Sequence, residues 1–301
     1  MNREINQLKL LIKTDYLTDI KSKSFWIGTF LAPILIIVFG VVIGFLASDS
    51  DAMQKVASST GGDKDLTGPQ AAGMLVGMIL TMFLMMFGAQ VYSKVRKEKI
   101  NRIMEVLATC VTGRQMMLAK VISVALIGLT QLVFWIVLLL VGAVVILILT
   151  QPDIPWEYLK DPRVYLGTMW CILFLVGGYV FYAALYAACG AMTDKDSENQ
   201  GYMTALTFML LGSMYVSMYA TDHVNTFTMI CSFIPFTAPS ICVTNALAGS
   251  IPVWVTILEC LALYAFAWLA VSFSGKIYTS SILLKGKKFS PKDIIVFLKL
   301  K

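Results

Sequence analysis

The sequence predicts an all-α membrane protein with six transmembrane helices, an N-terminal interfacial helix and a re-entrant external hairpin before the last span. Three observations lead there. First, 58% of the 301 residues are apolar and only 14% are charged, whereas a soluble domain is about 45–50% apolar and about 25% charged. A soluble core of this size cannot hide the excess, so it belongs against lipid. Second, six stretches reach the ~20 apolar residues that a spanning helix needs: about 24–47, 72–93, 119–150, 164–192, 202–220 and 251–274. Third, the basic residues sort. With the N-terminus inside, 20 of the 24 Lys and Arg fall on inner segments (1–23, 94–120, 193–201, 276–301), and 4 fall outside: Lys55, Lys64, Lys160 and Arg163. That is the positive-inside pattern. The +6 net charge is thus a sorting across a bilayer, with both termini cytoplasmic. The composition excludes a secreted domain, a nucleic-acid binder and a disordered chain.

In residues 1–23, Ile5, Leu8, Ile12 and Tyr16 recur at helical spacing among Arg3, Lys9, Lys13, Lys21 and Lys23. This pattern fits an amphipathic helix lying on the cytoplasmic membrane surface. The first apolar stretch, 24–47, exceeds the length of a secretory h-region and reads as an uncleaved span. Span two carries Gly73 and Gly77, which permit close helix approach, as at a two-fold axis. It also carries methionines at 74, 78, 82 and 86, read as adaptable packing rather than a soft-metal ladder. Gln131 in span three and Tyr179, Tyr182 and Tyr186 in span four are polar tips; interhelical hydrogen bonds are their commoner use. Gly177-Gly178 marks either a bend or tight packing. The loop 151–163, with Trp156 and Tyr158, reads as an outer aromatic anchor.

The apolar run 227–248 holds Pro235 and Pro239, which break a helix in its middle. A full seventh span there would send the seven basic residues of the tail outside. The run is therefore expected to enter and leave from the outside, with protein or a wet cavity covering its broken backbone. In the last span Glu259 lies about 12 Å deep at 1.5 Å per residue. A charge near the bilayer centre costs at least ~2.5–3.5 kcal/mol, so its carboxyl must face protein or water or be protonated. It reads either as a pathway residue, such as a cation site, or as a structural hydrogen bond to a neighbouring helix.

The cytoplasmic segment 94–118 is the most informative. Ile100, Ile103, Met104 and Leu107 form one helical stripe; Arg96, Lys97, Lys99, Arg102, Glu98 and Glu105 form the other face. Glu98 and Arg102 are placed as an i, i+4 pair, and Thr112 can cap the helix that follows Gly113. Such a helix is either a handle for a cytoplasmic partner or an anchor on anionic lipid.

The run KEKINRIMEVLATCVTGRQMMLAK closely resembles the corresponding loop of type-2 ABC transporter permeases, in particular the sodium-extrusion (NatB-like) branch. KSKSFWIGTFLAPIL (21–35), YAALYAACGAMTDKDSENQ (182–200) and SGKIYTSSILLKGKKFSPKDIIVFLK (274–299) resemble the same branch, in order along the chain. The chain departs from many members in its first external loop, which has only about 25 residues (48–72). The resemblance implies an ABC type-2 (type V) exporter transmembrane domain in a bacterial cytoplasmic membrane. It implies a second permease copy and two separate ATPase subunits that hold the ATP and Mg. Carried over by motif, Arg96, Glu98, Arg102, Glu105 and Arg114 would couple to the ATPase. The hairpin around Phe233, Pro235, Phe236 and Pro239 would form the external gate, with Glu259 and Gln131 as pathway candidates. Residues 1–23, 24–275 and 276–301 would be interfacial helix, transmembrane domain and basic tail. Sodium is suggested by branch alone; export of a drug, peptide or lipid-like molecule, or a scaffold or sensor without transport, are the alternatives.

Catalytic motifs argue the same way. No G-x-x-x-x-G-K-[ST] phosphate loop occurs, so ATP hydrolysis falls to a partner and the chain is read as a transport subunit, not an enzyme. His223 is the only histidine, which leaves no histidine metal cluster and no H-E-x-x-H, and its place in an external loop beside Asp222 argues against a Ser-His-Asp set. The six cysteines form no C-x-x-C pair and act as small hydrophobes. The acidic turn 194–199 reads as solvated or as an ATPase contact.

Overall fold

The computed structural model describes residues 2–23, 25–26, 29–30, 68–100, 112–150, 162–193, 201–222, 225–249 and 251–283. They form eight α-helices: α1 (Asn2–Ile20), α2 (Gly68–Ile100), α3 (Gly113–Thr150), α4 (Pro162–Met192), α5 (Gly201–Asp222), α6 (Thr226–Phe233), α7 (Ala238–Ala248) and α8 (Val253–Leu283). Five of these, α2 to α5 and α8, are long and apolar enough to cross a membrane. They correspond to expected spans two to six. The expected first span, 24–47, lies outside the described residues apart from 25–26 and 29–30. So do the external loop at 48–67, the loop 151–161, the turn 194–200, His223 and the tail beyond 283.

Helix α4 is the hub, packed against α2, α7 and α8. Its inner half explains why: Ala183, Ala184, Ala187, Ala188 and Ala191 are buried, and small side chains let neighbouring backbones approach. One such approach is fixed by Ser274 of α8, whose Oγ donates to the Ala184 carbonyl at 2.6 Å. The core is completed by the large rings of Phe87, Phe174, Tyr182, Tyr186 and Tyr278, all essentially without exposed surface. By contrast, the outward face of α8 carries Trp254, Leu261 and Trp268 at 63–65% exposure. Large apolar side chains repeating every seven residues on an outer face suit lipid or a second chain, not water.

Two helices reach past the expected span ends. Helix α2 continues to Ile100, within the helical stripe expected there, and α3 begins at Gly113. The expected loop 94–118 thus narrows to a connection at 101–112. Lys, Arg and Glu are good helix formers, and two of them are held inside the bundle: Lys99 Nζ donates to the Ala191 carbonyl at 2.7 Å, and Glu98 pairs with Lys120. At the α3 start, Gln115 N donates to Thr112 Oγ1 and Thr112 N to Gln115 Oε1, a reciprocal cap.

The proline-bearing run folds as two short helices, α6 and α7, broken at 234–237. Pro235 sits in the break, and Pro239 lies in the first turn of α7, where the missing N–H costs nothing. Gly249 closes α7 in the left-handed conformation at φ 64°. The two glycines of α2 do not serve a two-fold axis as expected. They receive α7 of the same chain: a Cβ at Gly73 would lie 2.7 Å from the Thr244 carbonyl oxygen, and one at Gly77 2.6 Å from Thr244 Oγ1. Of the two readings of Gly177-Gly178, tight packing holds at Gly178, where a Cβ would stand 2.8 Å from that of Pro239. Replacing Gly178 with Val is expected to push the hairpin off α4 and cost about 1–3 kcal/mol, read as a lower melting temperature of the detergent-solubilised chain.

Candidate functional site

Two polar constellations interrupt this apolar bundle, one around the broken hairpin and one at the end of α2 and α3 next to the 101–112 connection. At the hairpin, five buried hydroxyls from three helices meet. Thr81 of α2 donates to Ser240 Oγ at 3.0 Å; Ser240 and Ser213 of α5 lie 3.2 Å apart. Ser217 of α5 reaches Thr244 Oγ1 at 2.7 Å and the Ser240 carbonyl at 3.2 Å. Thr244 also contacts the Gly73 carbonyl at 3.3 Å. This neutral seam fastens α7 to α2 and α5. Next to it the Asn245 amide Nδ2 is buried without a partner among the described residues.

Glu259 is 1% exposed and faces the hairpin, where Ser232 Oγ donates to its Oε1 at 2.5 Å. The Cys242 thiol reaches the Ser232 carbonyl at 3.4 Å, so Ser232 links α6, α7 and α8. Of the other hairpin residues, Phe236 stacks edge-on against Phe181 with ring centroids 5.2 Å apart. Its carbonyl accepts from Tyr182 Oη at 2.5 Å. Phe233 is exposed, Pro239 is buried against Gly178, and Pro235 is half-buried. The span-four tyrosines do make interhelical bonds: Tyr179 to the Val121 carbonyl at 2.8 Å, and Tyr186 with Thr207 at 3.2 Å. Gln131 is buried on α3, donating to Thr29 Oγ1 at 3.0 Å, with its Oε1 unpartnered among the described residues. It lies on the α1 side and not beside Glu259 in any described contact. Met82 and Met86 point outward at 60% and 38% exposure. The described cysteines, Cys171, Cys189, Cys231, Cys242 and Cys260, are free thiols. No metal-holding group of His, Cys, Asp and Glu occurs among the described residues.

At the other constellation the charges are shared around one buried ammonium, with its partners partly exposed. Lys120 of α3, with a side chain 7% exposed, holds Asp15 of α1 at 2.5 Å and pairs with Glu98 of α2. Lys94 of α2 pairs with Asp19 of α1. Tyr278 of α8 is fully buried close to Glu98 and Asp15. Along the same face Tyr16 hydrogen-bonds Thr130 at 2.8 Å, while Lys9, Lys13, Lys21 and Lys23 stay exposed. Of the five residues expected to couple, Glu98 thus points inward to Lys120. Arg96 is half-buried, with its Nε unpartnered among the described residues. Arg102 and Glu105 lie outside the described residues, as does the side chain of Arg114. Sequence reasoning missed Asp15, Asp19 and Lys120. An acid pair four residues apart on a basic helix was the available signal.

Residues 59–276 match the family described as ABC-2 family transporter protein. Two similar relatives are an uncharacterized protein YhaP of Bacillus subtilis, 25% identical over 77% of this chain and 56% of its own length, and an uncharacterized protein MJ1024 of Methanocaldococcus jannaschii, 22% identical over 72% of this chain and 51% of its own length. The chain spans about half the length of these curated relatives. No solved structure matches.

The Ser232–Glu259 bond makes a stability prediction. Glu259→Gln retains an acceptor and is expected to leave the melting temperature close to wild type. Glu259→Ala strands the buried Ser232 end and is expected to cost about 1–3 kcal/mol. Equal melting of the two variants would disprove the linkage.

Proposed function

The chain belongs to the ABC-2 transporter family, and we propose that it is the permease subunit of an ATP-driven exporter. As the membrane domain of that family it is a multi-pass transport subunit with no catalysis of its own, and permease domains of this kind generally partner with ABC ATPase subunits. The observation that carries the finer reading is the continuity of α2 and α3. Each runs unbroken from a membrane-spanning stretch to the short 101–112 connection, and the two are cross-tied at its root by Glu98 and Lys120. A push on that connection displaces two whole helices rather than bending a loop.

In this proposal two ATPase subunits, which hold ATP and Mg, seat beneath the connection in a bacterial cytoplasmic membrane, with both termini of this chain on their side. Arg102, Glu105 and Arg114 meet the ATPase. Arg96 and Glu98 hold the root instead, since Glu98 is directed inward. A second copy of the permease completes the path. The exposed apolar side chains Phe208 and Tyr215 on α5, and Phe227 and Ile230 on α6, offer the face for it. The hairpin α6–α7 acts as the external gate, because neutral hydrogen bonds alone fasten α7 to α2 and α5. ATP closure of the partners shifts the permease between two conformations by binding one better than the other. Sodium is the cargo to test first, on the resemblance of the loop and tail, with an amphipathic drug as comparison.

The test is transport into inside-out proteoliposomes holding the full chain and its partner ABC ATPase. Charge reversal at Glu105 or Arg114 is expected to lower ATP-driven uptake at least tenfold while ATP hydrolysis persists. Wild-type coupling in both variants would reject the docking assignment. In the same assay a pathway role for Glu259 requires Glu259→Gln to alter the pH profile of transport; an unchanged profile at every pH assigns it to the hairpin's structure alone.

A further inference from the structure

We propose that Lys120 is the joint through which movement at the 101–112 connection reaches the N-terminal helix, so that α1 travels with the ends of α2 and α3 as one body. This deepens the permease reading above and rests on it.

The argument begins with counting. One ammonium, 7% exposed, holds Asp15 on α1 and Glu98 on α2, while itself belonging to α3. A second pair, Lys94 with Asp19, ties α1 to α2 again one helical turn further on. Three acids and two lysines from three helices therefore share a region that Tyr278 of α8 closes from the far side. A buried ammonium cannot leave its carboxylates without a large desolvation cost unless others replace them. No other acid is positioned to take their place among the described contacts. The cluster thus behaves as a rigid knot.

Its position gives the knot a task. Glu98 lies three residues before the connection and Lys120 eight after it. After a turn at 21–22, Phe25, Trp26 and Thr29 continue the contact with α3: Gln131 bonds Thr29, and Trp26 packs edge-on against Phe134 with centroids 6.4 Å apart. A force entering at 101–112 therefore divides at Lys120 between α2–α3 and α1, and α1 delivers its share to the stretch expected to form the first span. Lys120 is a positioning residue: it touches no cargo and no nucleotide.

Two measurements test this. In the full-length chain in lipid nanodiscs, hydrogen exchange of the α1 amides is followed for Asp15→Asn, Lys120→Met and Lys120→Arg. Asp15→Asn keeps the Glu98–Lys120 pair and so keeps the fold. It is expected to raise α1 exchange at least tenfold and leave α4 and α8 unchanged, with Lys120→Met doing the same and Lys120→Arg staying within twofold of wild type. Wild-type α1 exchange in Asp15→Asn overturns the proposal, whatever becomes of Lys120→Met. The second measurement pairs spin labels at Lys13, which is exposed on α1, and at Gly201, where open space surrounds the position, in the complex with the ATPase. ATP is expected to change that distance in the wild type but not in Asp15→Asn. A change retained in Asp15→Asn overturns the joint alone. No change in the wild type overturns the ATP-driven reading, and the joint with it.

Discussion

A backbone that breaks its helix inside an apolar bundle frees N–H and C=O groups that lipid cannot satisfy, and the packing around α6 and α7 is arranged to meet that requirement. Pro235 lowers the number of donors to satisfy, having no N–H. The carbonyls freed at the break find hydroxyls: Tyr182 reaches Phe236, and Thr237 reaches Cys231. One turn on, the Ser240 carbonyl accepts from Ser217 and Thr244. Thr237 and Thr244 belong to the hairpin itself, but Tyr182 and Ser217 sit on α4 and α5, helices that must come close, so the requirement propagates. Close approach needs Gly73 and Gly77 on α2 and Gly178 on α4, whose missing side chains are the space the hairpin occupies. The hub position of α4 follows from the same cause.

The two polar constellations use different chemistry, and the difference fits their places. Around the hairpin the groups are hydroxyls, each able to donate or accept, so a displaced helix can re-pair with the next hydroxyl along. A net hydrogen bond of this kind contributes only about 0.5–1.5 kcal/mol. Around Lys120 the groups are ions, whose exchange is far costlier because any unpaired member is a bare buried charge. The hydroxyl seam is thus the compliant end and the ionic knot the stiff one.

The apolar scaffold was legible because hydropathy and charge sorting report directly on lipid contact, and the spans expected at 164–192 and 202–220 match α4 and α5 closely. The break at Pro235 was legible for a local reason, since a proline states its own constraint. The helix beyond 93 was legible too, as the stripe through Ile100; that its charged face turns inward, with Lys99 on the Ala191 carbonyl and Glu98 on Lys120, was not. Lys120 itself looked like one more inner-side cation. Its partner Asp15 is 105 residues away in the chain, and no periodicity links them. The same holds for Gly77, whose small size was readable but whose occupant, Thr244, was not.

The stiff ionic end also bears on how a permease of this architecture can be driven. Work done at a connection is lost if the first joint it meets yields, because the helices above then stay where they were. Neutral hydroxyls at the root of 101–112 would yield at small cost; shared ions do not. Conversely, an ionic latch on the hairpin would resist opening by more than a pair of conformations a few kcal/mol apart can supply. Under the proposed mechanism, in which force enters at that connection and a path opens at the hairpin, this places resistance at the first and compliance at the second. Glu259, the buried acid that faces the hairpin, conforms to this. It meets a hydroxyl rather than a base in the described structure, and so holds α6 to α8 by a hydrogen bond and not by an ion pair.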